Sequence, residues 1–466
     1  MQWNSSKHIV NLSHAHFSIN IVPNVVENRF MILESEATRT RCQTTAELSC
    51  GPCCYLLCVI QFKHFCCLEA MFVSEYATAL KKKCGLTKVR IYETEVKLVR
   101  CEERDLRSIP SFAIQNLPTG FYPGGKNFTI DLRSNYIQTV PDKAFGDLPK
   151  LSSVDLFGII LWNNSISSVS DSAFLGLENT RVVVDLATNN LTTIPQALRI
   201  LRKIEVLEIA DNPIMTLDSS MIQHISPVHD FSINLTLYSS WPVVLNNLHV
   251  HYLWLYGYSG NSFQNFDVHG IGQRGIELDI GGTDIVDLSD VVCNNQINVS
   301  KLWLWGNFKL DIRPFERCSQ GKVMQNILEL ELDDINFESI PNFAHTLTKL
   351  EWLRFAFHNI TEINANDFRG LKELKVLYLD YNRITTIHPH AFDTNTKLRE
   401  LYLNENMLTH IPDSVVNLNL GLLRMDAIDC TCSSLQNLKQ VNATFADNIP
   451  CLGDTQFVQY ALAACP

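Results

Sequence analysis

The sequence predicts an α/β solenoid of about 12 coils of about 24 residues, each coil giving one strand to a curved parallel sheet on its concave side. Three observations carry this expectation. The pattern L-x-x-L-x-L-x-x-N-x-L recurs between residues 128 and 425, most clearly as Leu374-Leu377-Leu379-Asn382-Ile384 and Leu398-Leu401-Leu403-Asn406-Leu408. The spacing between equivalent residues is steady: Leu132 to Leu156, Phe355 to Leu379 and Leu379 to Leu403 are each 24 residues apart. Half a repeat later comes a second signal, because Phe145, Phe174, Phe368 and Phe392 each follow a strand leucine or phenylalanine by 12 or 13 residues.

Each element follows from the spacing. Alternate residues of a strand point to opposite faces, so Leu401 and Leu403 enter the core while Glu400 and Tyr402 face out. The repeated Asn bonds backbone groups that the turn after each strand would otherwise leave buried and unpaired. One coil cannot bury its own apolar face, whereas stacked coils bury a continuous one. The four phenylalanines then stack as an aromatic spine beneath the convex side. Further copies are Ile130-Leu132-Asn135-Ile137, Val184-Leu186-Asn189-Leu191 and Leu207-Ile209-Asn212-Ile214. The middle of the array is less regular. Thr283, Ile335 and His358 take the Asn position, and residues 220–275 are hard to phase, with strands expected near Leu235 and Leu255. In the second coil, Leu151-Val154-Leu156 continues into Trp162-Asn163-Asn164 only if Phe157–Leu161 are skipped, as a bulged excursion or an error in the encoded sequence.

The pattern resembles animal-type extracellular leucine-rich repeats, and the resemblance covers about residues 84–466. It divides the chain into a Cys-rich segment at 1–83, an N-terminal cap at 84–127, the repeats at 128–425 and a C-terminal flanking cap at 426–466. Cys430-Thr-Cys432, followed by Cys451 and Cys465, looks like the C-terminal cap of that family. The resemblance implies the pairs Cys430–Cys451 and Cys432–Cys465. Leu98-x-x-Cys101 with Leu106-x-x-Ile109-Pro110 looks like an N-terminal cap joined to Cys84. Cys293 and Cys318 are expected to pair on a different ground. They lie 13 and 14 residues after the strand residues Ile280 and Leu304, and equivalent positions of neighbouring coils stack within bonding reach.

Fifteen cysteines, grouped at both ends of the array, point to an oxidising compartment. Nine N-x-S/T sequons agree with it, at Asn4, Asn11, Asn127, Asn163, Asn190, Asn234, Asn298, Asn359 and Asn442. The start, MQWNSSKHIVNLSH, does not read as a signal peptide, because no basic stretch leads into an apolar one. The seven cysteines between Cys42 and Cys67 suit zinc ligation, acylation or disulfides alike, which leaves membrane association open.

The charge argues against nucleic acid as a partner. Residues 1–100 hold 12 Lys/Arg against 8 Asp/Glu, and the remainder holds 26 against 41. An acidic body repels phosphate backbones. Gly270-Ile-Gly272-Gln-Arg-Gly275 matches a dinucleotide fingerprint only in letters, since it precedes the strand Ile276–Ile280 instead of following one. No metalloprotease, nucleophile-elbow, Walker or kinase motif is present, so neither an enzyme nor a cofactor nor a metal site is expected.

The concave face remains. Its central outward position reads Asp131, Asp155, Asp185, Glu208, Trp254, Asp279, Trp303, Glu331, Arg354, Tyr378 and Tyr402. Adjacent outward positions add Tyr252, Tyr256, Trp305, Trp352 and Tyr381. The aromatics are read as interface anchors for a protein ligand, and the four leading acids as a ladder that steers a basic patch of it. The alternatives are that the acids merely solvate the sheet and that the rings pack on one another. The resemblance implies adhesion, matrix contact or receptor-type recognition at the cell surface or outside the cell. The competing reading is an intracellular scaffold tethered to a membrane through the Cys-rich N-terminus.

Overall fold

In the computed structural model the described residues are 84–91, 94–110, 125–145, 154–225, 227–270, 275–436, 438, 449–453 and 457–465, together with strand backbone at 9–12, 15–25, 28–35, 58–61, 64–67 and 71–72. The chain forms two compact units: residues 1–213 with 223–230, and residues 214–222 with 231–466.

In the first unit, β1 (Gly85–Ile91) and β2 (Thr94–Arg100) form an antiparallel hairpin. Cys84 and Cys101 bracket this hairpin and are disulfide-bonded, with Cα atoms 4.3 Å apart. Three parallel strands then build on β2: β3 (Gly125–Asp131), β4 (Val154–Ile160) and β5 (Val182–Asp185), with β6 (Ile204–Glu208) alongside β5. The strand β7 spans Val228–Asn234. In the second unit a parallel sheet runs in chain order through β8 (Tyr252–Tyr256), β9 (Ile276–Gly281), β10 (Val299–Trp305), β11 (Glu329–Asp333), β12 (Trp352–Arg354), β13 (Val376–Tyr378), β14 (Glu400–Tyr402) and β15 (Leu422–Arg424). The irregular stretch 220–275 therefore does contain strands, β7 ending beside Leu235 and β8 containing Leu255.

The second coil corrects the reading of Phe157–Leu161. These residues are not an excursion from the strand. Phe157 pairs with Phe128, Ile159 with Ile130 and Ile160 with Asp131, so they are the strand itself. Phe157, Ile159 and Leu161 are fully buried, and Leu161 takes the place held by Leu132 and Leu186 in the neighbouring coils. Leu156 was the wrong phase marker. The coil is longer, with 29 residues from Leu132 to Leu161 against 25 from Leu161 to Leu186.

Opposite the sheet, the phenylalanine spine forms as the spacing predicted. Phe145 stacks on Phe174 at 6.3 Å between centroids and Phe368 on Phe392 at 5.7 Å, all four buried. Two-residue parallel pairings close the coils on that side, Thr139–Val140 with Ser168–Val169 and Glu362–Ile363 with Thr386–Ile387. Cys293 follows the short helix Ser289–Val292 and Cys318 follows Arg313–Arg317. Their disulfide, with Cα atoms 5.2 Å apart, ties these consecutive coils together. At the C-terminal end the bonds are Cys430–Cys451 and Cys432–Cys465, the latter just beyond the helix Val458–Ala464.

The turn after each strand has a fixed design. The Asn side chain donates to carbonyls of its own and the preceding coil and accepts an amide of the preceding one. Asn189 donates to Leu161 O at 3.0 Å and Leu186 O at 3.0 Å, and accepts from Ile166 N at 2.9 Å. Asn382 and Asn406 repeat the arrangement. Where the sequence departs from Asn, other groups fill in. The Nε2 of His358 reaches Leu332 O at 2.6 Å, and burial holds this imidazole down at about 4, so it stays neutral and donates. Thr283 Oγ1 donates to Asn307 Oδ1 at 2.6 Å. The residue before the Asn position is left-handed: Ser134, Asn163, Thr188, Asp211, Asp334 and Glu405 have φ of 52–61°, and Gly257, Gly282 and Gly306 occupy the same place.

Candidate binding face

Strand register places the outward side chains in rows. In the first unit Arg100, Asp131, Ile160, Asp185 and Glu208 are successive neighbours. This corrects the acidic ladder in two respects. Asp155 is exposed five residues before Ile160 and is not in the row, because Ile160 occupies the place assigned to it. The remaining acids are not an open stripe either, since Asp131, Asp185 and Glu208 are all buried. Their fields do not simply add. Arg133 binds Asp131 at 2.7 Å, Arg100 binds Glu102 at 2.6 Å, and Arg181 binds Glu205 at 2.7 Å. Burial lifts the Asp185 carboxyl to about 7, against the opposing pull of the Ala187 amide and of Arg133. A sequence read strand by strand shows the acids in one row but not Arg133, two positions after Asp131, which turns back over it.

In the second unit the central row is Trp254, Asp279, Trp303, Glu331, Arg354, Tyr378, Tyr402 and Arg424. The row before it runs Tyr252, Glu277, Lys301, Glu329, Trp352, Val376 and Glu400, and the row after it begins Tyr256, Gly281, Trp305 and Asp333. The aromatic residues singled out in the sequence thus fall in three adjacent rows, except Tyr381, which stands beyond β13 in the left-handed turn. They are not bare anchors, however. Trp303 and Tyr378 are only 4% and 7% exposed, while Trp254, Trp305, Trp352 and Tyr402 are half-buried. The rings cover one another: Tyr378 stacks on Tyr402 at 4.0 Å, Trp352 lies 5.3 Å from Tyr378, and Tyr252 lies 5.8 Å from Trp303. The rings pack on one another, as the alternative reading has it, and Trp254, Trp352 and Tyr402 remain partly exposed.

Two charged groups organise this face. Asp279 accepts from the Trp305 indole N–H at 2.9 Å and the Tyr252 hydroxyl at 3.1 Å. The indole of Trp305 lies flat over Gly281, where a Cβ would come within 2.0 Å of it. Further along, Arg354 bonds Asp333 at 2.5 Å, lies 3.6 Å from Asp380, and sits over the rings of Tyr378 at 5.0 Å and Phe357 at 5.9 Å. Burial raises Asp333 to about 6 despite Arg354, and raises Asp380 as well. Lys301 bridges Glu277 at 3.1 Å and Glu329 at 3.2 Å and caps the Trp303 ring at 5.5 Å.

The sequence reading missed Phe357. It was invisible by strand phase because it is not a strand residue. It precedes the Asn position, in the left-handed turn, where its φ is 60°. Phe357 stacks on Tyr381 of the next coil at 4.4 Å with an interplanar angle of 10°. Among the sequons, Asn163 and Asn190 are exposed, Asn127 stands in β3, and Asn234, Asn298 and Asn359 are half-buried. Asn4, Asn11 and Asn442 lie outside the residues whose side chains are described. No helix among the described residues is long and apolar enough to cross a membrane.

The family description "Leucine rich repeat" matches residues 159–214, 325–384 and 372–427. The chain is similar to leucine-rich repeat-containing protein 3 of Danio rerio, 27% identical over 129 residues, covering 28% of this chain and 41% of that one. It is similar to chaoptin of Drosophila melanogaster, 26% identical over 153 residues, covering 32% of this chain and 11% of that one. The chain therefore spans well under half the length of either relative. Among solved structures, an LRR protein of Leptospira interrogans matches at a TM-score of 0.43 and 16% identity, over 69% of this chain and 94% of that one. The Toll–Spatzle complex of Drosophila matches at 0.42 and 17%, over 78% of this chain and 59% of that one.

Proposed function

The chain is a leucine-rich-repeat protein of the animal type with cysteine-containing flanks, and from that premise we propose that it serves as an extracellular protein-binding module of the adhesion, matrix or receptor kind. The observation that carries the reading is the aromatic row of the second unit. Trp254, Trp352 and Tyr402 keep solvent-facing edges, while the inward neighbours Leu253, Leu255, Leu353 and Leu401 are fully buried without their help. Rings of this kind contribute much of the energy of protein interfaces. Disulfides at both ends of the array support the oxidising compartment, because such bonds persist outside the cytosol. The partner is a protein, since the acidic body of the chain repels the phosphate backbones of nucleic acid.

Two measurements test this. Non-reducing peptide mapping of the chain from its native source is expected to return Cys84–Cys101, Cys430–Cys451 and Cys432–Cys465 as bridged peptides. Free thiols at these positions would instead favour a tethered intracellular scaffold. Once a partner is isolated, Trp254→Ala and Trp352→Ala are expected to speed its dissociation at least tenfold. A partner that binds both variants as it binds the unaltered chain, and weakens only on substitutions opposite the sheet, would place the site elsewhere.

A further inference from the structure

The turn before each Asn position takes a conformation that side chains resist, and the chain fills it accordingly. Ser134, Asn163, Thr188, Asp211, Asp334 and Glu405, or glycine, stand there in other coils with this turn. At two consecutive coils it places Phe357 and Tyr381 instead, with φ of 60° and 54°. A bulky residue at positive φ costs energy that the surrounding structure must outweigh, and such outliers gather at functional sites. Packing does not demand these rings. Phe357 is 38% exposed, Tyr381 is half-buried, and Met407 on the following coil is 57% exposed. The pair is therefore a stacked aromatic plate held at the edge of the sheet by strained turns.

Its surroundings are acidic. Beyond burial, the carboxylates of Glu405, Asp380 and Asp426 raise the Tyr381 hydroxyl, and only Arg354 opposes them. Asp380 is 7% exposed, and its Oδ1 lies 3.6 Å from Arg354 with no hydrogen bond among the described residues. Arg354 itself is committed to Asp333 and lies against Tyr378 and Phe357 from within the sheet. Beyond Tyr381 the same turn position of the next coil is Glu405, and Asp426 accepts the amide of its neighbour Asn406. A flat cation that stacks on an aromatic ring while meeting carboxylates complements this arrangement, as Arg354 does against Phe357 and Asp380. A guanidinium has that shape and a weak enough hydration shell to be stacked, which an ammonium lacks.

We infer that the Phe357–Tyr381 plate, with Glu405, Asp380 and Asp426, is a recognition site for an arginine side chain on an extended segment of the protein partner. This deepens the protein-binding reading above and rests on it for the nature of the partner. The site adjoins the Tyr378–Tyr402 stack, so a segment crossing the face near β13 and β14 reaches both.

The test uses the full chain and fluorescein-labelled nonapeptides of alternating glycine and arginine, with citrulline, lysine and glutamate in place of arginine as comparisons. Anisotropy at low salt is expected to show the arginine peptide binding at least tenfold more tightly than the citrulline peptide and more tightly than the lysine one. The double variant Phe357→Gly with Tyr381→Asn puts residues suited to positive φ at both turns, so its melting temperature is expected to hold while arginine-peptide affinity falls at least tenfold. Glu405→Gln with Asp426→Asn leaves both rings in place and is expected to lower affinity at least threefold, against no change for Glu316→Gln on the exposed side of the helix Arg313–Arg317. Unaltered binding by both double variants, an equal loss with Glu316→Gln, or a citrulline or lysine peptide that binds as well as arginine overturns the assignment. Free thiols in the peptide mapping would remove the extracellular reading and leave this result standing, whereas unaltered peptide binding by both double variants would remove this site alone.

Discussion

Asn189→Ala removes one rung of the ladder that joins consecutive coils, and its cost follows from the bonds around it. Asn189 is 5% exposed, donates to Leu161 O, Leu186 O and Ala187 O at 3.0–3.1 Å, and accepts from Ile166 N at 2.9 Å. The carbonyls keep second donors: Asn164 on Leu161, Asn212 on Leu186, and the Asn163 amide on Ala187. The Ile166 amide loses its bond to the Asn189 oxygen in the buried interior. A desolvated donor left unpaired costs about 1–3 kcal/mol, and the weakened carbonyl bonds add about 1 kcal/mol, so about 2–4 kcal/mol in all is expected. Urea unfolding followed by circular dichroism measures it, with the slope against denaturant unchanged. Asn190→Ala, one residue on and exposed, is expected to stay within about 0.5 kcal/mol of the unaltered chain. A cost below about 1 kcal/mol for Asn189→Ala, or an equal cost at Asn190, would refute the ladder as the device that holds neighbouring coils in register.

Gly281→Ala places a Cβ within 2.0 Å of the Trp305 indole and is expected to cost about 1–3 kcal/mol, with a shift in tryptophan fluorescence as the indole leaves Asp279; unchanged emission and stability would contradict the flat approach. Asp185 has its pKa raised from 3.8 to about 7 in the folded state, so the native chain holds that proton more tightly than the unfolded one. Its contribution is therefore most favourable below pH 3.8, is lost progressively as the pH rises to about 7, and is flat beyond. Asp185→Asn, which preserves the acceptor for the Ala187 amide, is expected to gain melting temperature relative to the unaltered chain at pH 8 but not at pH 4, and a difference independent of pH would count against it. Cys293→Ser with Cys318→Ser opens a link of sequence separation 25 and is expected to lose about 3 kcal/mol in calorimetry, with no change for the reduced chain.

The periodic parts of the molecule were legible because their physics is local. An Asn three residues after a strand leucine, and a phenylalanine 13 after it, act within one coil or on an adjacent one, so Asn382, Asn406, Phe368 and Phe392 stand where spacing put them. The same holds for the row from Trp254 to Tyr402, whose register repeats coil after coil, and for the half-repeat logic that pairs Cys293 with Cys318. Where a coil changes length, the sequence alone misled. Phe157–Leu161 resembled an insertion because Leu156 mimicked a marker, and only pairing with β3 and β5 on both sides distinguishes strand from excursion. That slip also moved Asp155 into a row it does not occupy.

Tertiary structure decided what the face is made of. Alternation says that Asp131 and Trp303 point outward, but outward is not exposed. Arg133 bends back over Asp131, Lys301 and Tyr252 close over Trp303, and the Phe357–Tyr381 plate arises from turns that strand phase ignores. Periodicity sets the direction of a Cα–Cβ bond, whereas exposure, pairing and pKa depend on long side chains meeting across coils about 24 residues apart in the chain, a distance at which no local pattern constrains them.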